Sequence, residues 1–168
     1  NIFSPNYSNK AKSISSIKFI IIHYTGMQSE RESIKKLCNP NSKVSSHYLI
    51  NRKGRIFRFV QDRQVAWHAG KSCWGRYKNL NESSIGIELV NKGYQFGYTS
   101  FKKKQIINLI KLCRKLIKKY KIKKKNIVGH SDIAPLRKID PGEKLPWKYL
   151  AKNKIGIWHD YEPNFLKK

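Results

Sequence analysis

The chain has 168 residues, 39% of them hydrophobic and 12% aromatic, enough for a core of its own and too apolar for compositional disorder despite a mean hydropathy of -0.63. Thirty-six Lys and Arg against ten Asp and Glu leave +26 at neutral pH, which attracts nucleic acid, anionic membranes and acidic polymers alike and says nothing about fold. The longest apolar run, residues 19–22, is closed by His23, which excludes a membrane span, and the dispersed Cys38, Cys73 and Cys113 encode neither a disulfide framework nor a thiolate zinc knuckle.

Residues 1–16 are polar, with Pro5 and several Ser, Asn and Lys, and are expected as a flexible N-terminal arm ahead of one domain over 17–168. Residues 17–24 read as a buried strand, an almost unbroken β-branched and aromatic run ending in His23-Tyr24. A helix is predicted over 29–38, with Ser29 as N-cap, Glu30 and Glu32 in the first turn, and Asn39-Pro40 as the stop. Residues 44–51 and 55–60 flank Arg52-Lys53-Gly54, a hairpin signal because glycine reaches the positive φ of a tight turn. Residues 66–83, rich in Gly, Trp, Asn and Ser without a period, are expected as a long surface loop of the kind that carries binding residues.

In the strand over 84–91, Ile85, Ile87 and Leu89 alternate with Gly86 and Glu88, so Glu88 faces away from the aliphatic side. The strongest helix, 100–119, repeats Ile106, Leu109, Ile110, Cys113 and Leu116 at three- and four-residue spacing, with a solvated Lys-rich face. Ile127-Val128-Gly129 form a short strand leading into His130, and Pro141, Pro146 and Pro163 predict irregular packing beyond 135. Strands interleaved with helices give an α/β fold, a single domain with a central mixed β-sheet flanked by α-helices.

Of five histidines, His23 and His130 directly follow buried β runs, so both rings can converge at one edge of a sheet, and Asp140 lies ten residues after His130. Two imidazoles, a carboxylate and a position left to water make a catalytic zinc shell, although so loose a spacing is a weak motif and a histidine at a strand end is usually structural. Glu88, beside the small Gly86, can act as a general base; its plainer reading is a surface partner for one of many Lys. Lys138, two residues before Asp140 on an extended segment, points to the same side and can stabilise an oxyanion.

Six blocks then stand in a recognisable order: Ile21-Ile22-His23-Tyr24-Thr25, Val44-Ser45-Ser46-His47-Tyr48-Leu49-Ile50, Val65-Ala66-Trp67-His68-Ala69-Gly70, Ser84-Ile85-Gly86-Ile87-Glu88-Leu89-Val90-Asn91, Val128-Gly129-His130-Ser131-Asp132-Ile133-Ala134-Pro135 and Arg137-Lys138-Ile139-Asp140-Pro141-Gly142. Together they resemble the zinc-dependent N-acetylmuramoyl-L-alanine amidases of the AmpD and AmiD kind, on a fold shared with phage amidase lysozymes and peptidoglycan recognition proteins. The resemblance implies one Zn2+ per chain held by His23, His130 and Asp140, with Glu88 as base or water-positioning residue and Lys138 stabilising the tetrahedral intermediate. The phage enzymes generally place Cys where Asp140 stands, so the Asp favours the AmpD and AmiD branch. Tyr24, Trp67, His68 and Trp74 are expected as substrate-binding groove residues, and His47 as structural.

The implied activity is hydrolysis of the amide between N-acetylmuramic acid and the L-alanine of the stem peptide, in peptidoglycan or muropeptides, by a monomer. Asn79-Leu80-Asn81 and the Pro146-Trp147-Lys148 tail look more like the AmiD, cell-envelope type, which places the chain in the bacterial periplasm with the cytoplasm as the alternative. Its charge would add electrostatic attraction to the anionic envelope. Two other readings stand beside this one. A non-catalytic peptidoglycan-binding module is disfavoured because all five functional positions are filled. A nucleic-acid binder is disfavoured because no recognised motif accompanies the charge.

Overall fold

Side-chain alternation along two neighbouring strands sets the layout of the structure, a computed structural model in which residues 2–159 are described. In chain order the elements are β1 (Tyr7–Ser8), β2 (Phe19–Tyr24), α1 (Glu30–Cys38), β3 (Tyr48–Ile50), β4 (Ile56–Arg58), β5 (Val65–Ala66), β6 (Cys73–Trp74), β7 (Tyr77–Lys78), β8 (Ser84–Leu89), α2 (Lys103–Tyr120), β9 (Ile127–Gly129), α3 (His130–Ile133) and α4 (Trp147–Lys152). The main sheet has the order β4-β3-β8-β2-β9, with β3, β8, β2 and β9 parallel and β4 antiparallel to β3. This is the mixed, helix-flanked sheet expected from the sequence.

Ile20 and Ile22 of β2 join Ile85, Ile87 and Leu89 of β8 in one core cluster with Ile106, Leu109, Ile110, Cys113 and Leu116 of α2. Each large aliphatic side chain removed from water there contributes ~1.5–3 kcal/mol. Gln105 is buried on the same helix and donates from Nε2 to the carbonyls of Ile50 and Val90, tying α2 to the strand ends. Phe19 and Ile21 enter a second cluster with Leu80, Val128 and Ile133. That alternation leaves His23 and Glu88, paired across β2 and β8, on the face away from α2.

The predicted cap of α1 is present, Ser29 Oγ accepting from the Glu32 N–H at 3.1 Å. All three cysteines are free, and burial pushes the Cys113 thiol up to about 12, as befits an inert core group. Among the described residues no helix is long and apolar enough to cross a membrane.

Three expectations need correction. The N-terminal arm is packed against the domain: β1 pairs antiparallel with β5, Ser4 Oγ donates to the Leu37 carbonyl, and Asn6 Nδ2 donates to the carbonyls of Asn39 and Val44. Its Ser and Asn side chains, which read as loop composition, satisfy carbonyls that α1 leaves open at its C-terminal end. Residues 66–83 are also more ordered than a plain loop, since β6 and β7 form a hairpin around Gly75 and a 3-10 turn, Leu80–Ser83, leads into β8. The segment after 135 carries one further helix, α4, whose Leu150 is fully buried; Pro163 lies outside the described residues.

Candidate metal centre and its groove

His23 is the fifth residue of β2, and β9 runs beside that strand with Gly129 opposite Ile22, so His130 at the start of α3 arrives next to His23. Asp140 comes from the loop after α3, held where the Ser131 N–H donates to its carbonyl at 2.8 Å and Tyr98 Oη donates to the Pro141 carbonyl at 2.6 Å. Gly142 turns the chain away at φ +74°, where an added Cβ would come within 2.6 Å of Tyr98 Oη. The site thus sits at the carboxyl ends of parallel strands, where open α/β sheets leave a crevice.

His23 Nδ1, His130 Nδ1 and Asp140 Oδ2 form a triangle with sides of 3.0, 3.1 and 3.2 Å. A tetrahedral zinc with ligands at 2.0–2.1 Å has donor atoms about 3.3 Å apart, so the three atoms are spaced as one face of such a shell. The outer face of each ring is fixed by hydrogen bonds. The Leu80 carbonyl can only accept, so Ser84 Oγ donates to it at 2.5 Å; Oγ then accepts from His68 Nε2–H at 3.1 Å, and His68 Nδ1 accepts from His23 Nε2–H at 3.0 Å. His130 Nε2–H donates to the Ala69 carbonyl at 3.1 Å. Both rings therefore hold a proton on Nε2 and turn Nδ1 toward the Asp140 carboxylate. Such a set can hold a cation, and its N,N,O chemistry fits zinc.

Burial, then the neighbouring His130, push His23 down to about 4 despite Asp140, so the ring is neutral at pH 7. Burial works against the Asp140 anion, but the rings beside it hold the carboxyl well below the usual range. Glu88 stands beside His23 with its Oε2 buried and unpartnered; burial, then the Asp140 charge, raise its carboxyl to about 8, against the pull of Lys138. An orphaned buried carboxylate oxygen in a cleft is a functional signal, because it needs a donor from outside the chain.

The five residues singled out for chemistry, His23, Glu88, His130, Lys138 and Asp140, line one groove of about 220 Å³. Tyr24 and Trp67 also line it, Trp67 anchored by Nε1–H to Ser8 Oγ at 3.0 Å. His68 lines it too, 92% shielded and with both ring nitrogens engaged. One expectation differs. Trp74 does not line this groove; it borders a separate cleft of about 360 Å³ with Ile127, Trp147 and Trp158, because the β6-β7 hairpin carries it away from the metal centre. His47 is buried with Nδ1 accepting from the Gly86 N–H, consistent with a structural role.

Sequence reasoning missed the roles of the Ala69 carbonyl and of Asn81, whose Oδ1 accepts from the backbone N–H groups of His68 and Ala69. It also missed why residue 86 is glycine: a Cβ there would lie 2.5 Å from His68 Cγ. Only the Gly86 signal was readable, as a small residue inside a strand of large ones.

Comparison with known proteins matches residues 13–143 to the family described as N-acetylmuramoyl-L-alanine amidase. The chain is 43% identical over 156 residues to the N-acetylmuramoyl-L-alanine amidase AmiD of Escherichia coli, covering 86% of this chain and 55% of that protein. It is 43% identical over 114 residues to the 1,6-anhydro-N-acetylmuramyl-L-alanine amidase AmpD of Haemophilus influenzae, covering 67% of this chain and 60% of that protein. It therefore spans a little over half the length of these relatives. Among solved structures, E. coli AmiD in complex with the substrate anhydro-N-acetylmuramic acid-L-Ala-D-gamma-Glu-L-Lys superposes with a TM-score of 0.80 at 40% identity, over 94% of this chain and 65% of that one. AmpDh3 of Pseudomonas aeruginosa in complex with an anhydromuramic pentapeptide gives 0.80 at 37% identity, over 95% and 68%. Sequence and fold agree, and the chain belongs to the N-acetylmuramoyl-L-alanine amidase family.

Proposed function

We propose that this chain is a zinc-dependent hydrolase that cleaves the amide between N-acetylmuramic acid and the L-alanine of the stem peptide in peptidoglycan or its muropeptide fragments. The observation that carries the reading is the meeting, in one groove, of three metal-ligating side-chain atoms 3.0–3.2 Å apart with an unpartnered carboxylate oxygen. Muropeptide ligands in the AmiD and AmpDh3 complexes support the substrate class.

His23, His130 and Asp140 would hold the Zn2+, which when bound supplies Lewis acidity, polarising a carbonyl and making water more acidic. Glu88 takes the proton of the attacking water and hands it to the leaving nitrogen: the C–O bond forms, the C–N bond breaks, and the carboxylate returns to its starting state. A carboxyl raised to about 8 suits a group that must accept and then donate near neutral pH. Lys138 sets a cation beside the developing oxyanion, where one such partner contributes ~3 kcal/mol. Tyr24 and Trp67 form the walls that orient the sugar and peptide.

All of these groups come from one chain, which supports a monomer. The alignment with AmiD covers more of the chain than that with AmpD, which supports action of the AmiD kind at the bacterial envelope, in the periplasm over the cytoplasm. The +26 charge then attracts the anionic wall, with no specific nucleic-acid partner.

Incubation of purified muropeptide with the chain, read by mass spectrometry, should release a stem peptide beginning at L-alanine, lost with a chelator and restored by Zn2+. Muropeptide binding without release would leave a peptidoglycan-binding module. Salt-sensitive DNA affinity without hydrolysis would leave a nucleic-acid binder.

A further inference from the structure

We infer that Asn81 clips the dipeptide His68-Ala69 into the one position from which it presets both metal-binding histidines, making Asn81 and His68 positioning residues; the inference rests on the metal reading above. Asn81 Oδ1 accepts from the His68 N–H at 3.1 Å and from the Ala69 N–H at 2.7 Å. The two residues gathered in this way supply both ring supports, His68 Nδ1 for His23 Nε2–H and the Ala69 carbonyl for His130 Nε2–H. A single side chain thus governs two rings that are 107 residues apart in sequence.

Each end of the clip is braced. Arg137 Nη2 donates to the Ala69 carbonyl at 2.9 Å and to the Lys71 carbonyl at 2.7 Å, so the acceptor for His130 is held from the far side. The His68 ring lies on the bare backbone of Gly86 and ends its relay on Ser84 and Leu80. Asn81 itself sits in the turn Leu80–Ser83 that feeds β8, the strand carrying Glu88. The acceptors, and not a metal, therefore decide that each ring offers Nδ1. If the dipeptide loosens, the rings are free to rotate and the 3.0–3.2 Å triangle spreads.

The test measures the zinc dissociation constant by competition with a chromophoric chelator, together with the visible spectrum of the Co2+-loaded chain. Asn81→Ala and His68→Phe should weaken zinc binding about 10- to 100-fold and shift the Co2+ bands. Asn81→Asp, which keeps an acceptor oxygen, and His68→Asn, which sets one near the place of Nδ1, should stay close to the parent chain. The His68 pair keeps the test decisive if Asn81→Ala fails to fold. Zinc affinity and Co2+ spectrum unchanged in Asn81→Ala and His68→Phe, even with a lower melting temperature, would reduce Asn81 to a loop staple and overturn the clip. A parent chain that takes up no zinc removes the metal reading itself, and the clip with it.

Discussion

Glu88 shows how a single position combines legible and hidden information. Its side of the strand follows from alternation with Ile85, Ile87 and Leu89, but the missing partner of Oε2 depends on what surrounds it in three dimensions. Glu88→Gln should retain zinc and lose hydrolysis by roughly 10²- to 10⁴-fold, whereas His23→Ala or Asp140→Asn should lose both, as read by metal analysis beside initial rates. Lys12 carries a second prediction. It is 96% shielded, its Nζ donating to the Ser84 carbonyl at 2.6 Å and lying 2.9 Å from His47 Nε2; burial pushes its ammonium down to about 7 against the pull of Asp62. The unfolded chain keeps that proton to about 10.5 and the folded chain only to about 7, so between these values the unfolded state binds more protons and stability rises with pH. From pH 7 to 9.5 the parent chain should gain ~2–3 kcal/mol relative to Lys12→Met, measured by urea midpoints at both pH values.

The elements divide by how local their causes are. α1 begins at its predicted cap because a serine hydroxyl and the N–H three residues on are neighbours in sequence; Ser29→Ala should cost ~1 kcal/mol in urea unfolding. α2 and the strands β2, β8 and β9 were legible for the same reason, their periods of 3.6 and 2 being properties of short windows. The segment from β5 to β8 was not, since its two-residue strands are stabilised by partners elsewhere: β5 by β1, and the turn before β8 by its hold on His68 and Ala69. Gly86 on β8 ties the sheet to the candidate metal centre. Gly86→Ala should drive a Cβ into the His68 ring, cost ~1–3 kcal/mol and lower zinc occupancy, whereas a purely conformational glycine would change stability alone.

At the scale of the whole molecule, the excess positive charge has no fold to explain and acts on association. Its attraction for an anionic wall should fade as the screening length falls from about 10 Å at 0.1 M salt to about 3 Å at 1 M, so pelleting with intact sacculi should drop steeply while hydrolysis of a small soluble muropeptide changes far less. By itself the sequence determined the helical and extended segments, the face each buries, and which side chains have the chemistry to hold a metal, because each of these follows from residue type and short-range spacing. The tertiary structure alone decided that His23 meets His130 and Asp140 across separations of 107 and 117 residues, that the N-terminal segment is latched onto α1, and that Trp74 lies on another cleft. It also decided the protonation pattern of the rings. That pattern is set by the carbonyls of Leu80 and Ala69, and a backbone carbonyl is the same in every residue, so nothing in the order of side chains announces which one will stand beneath a histidine.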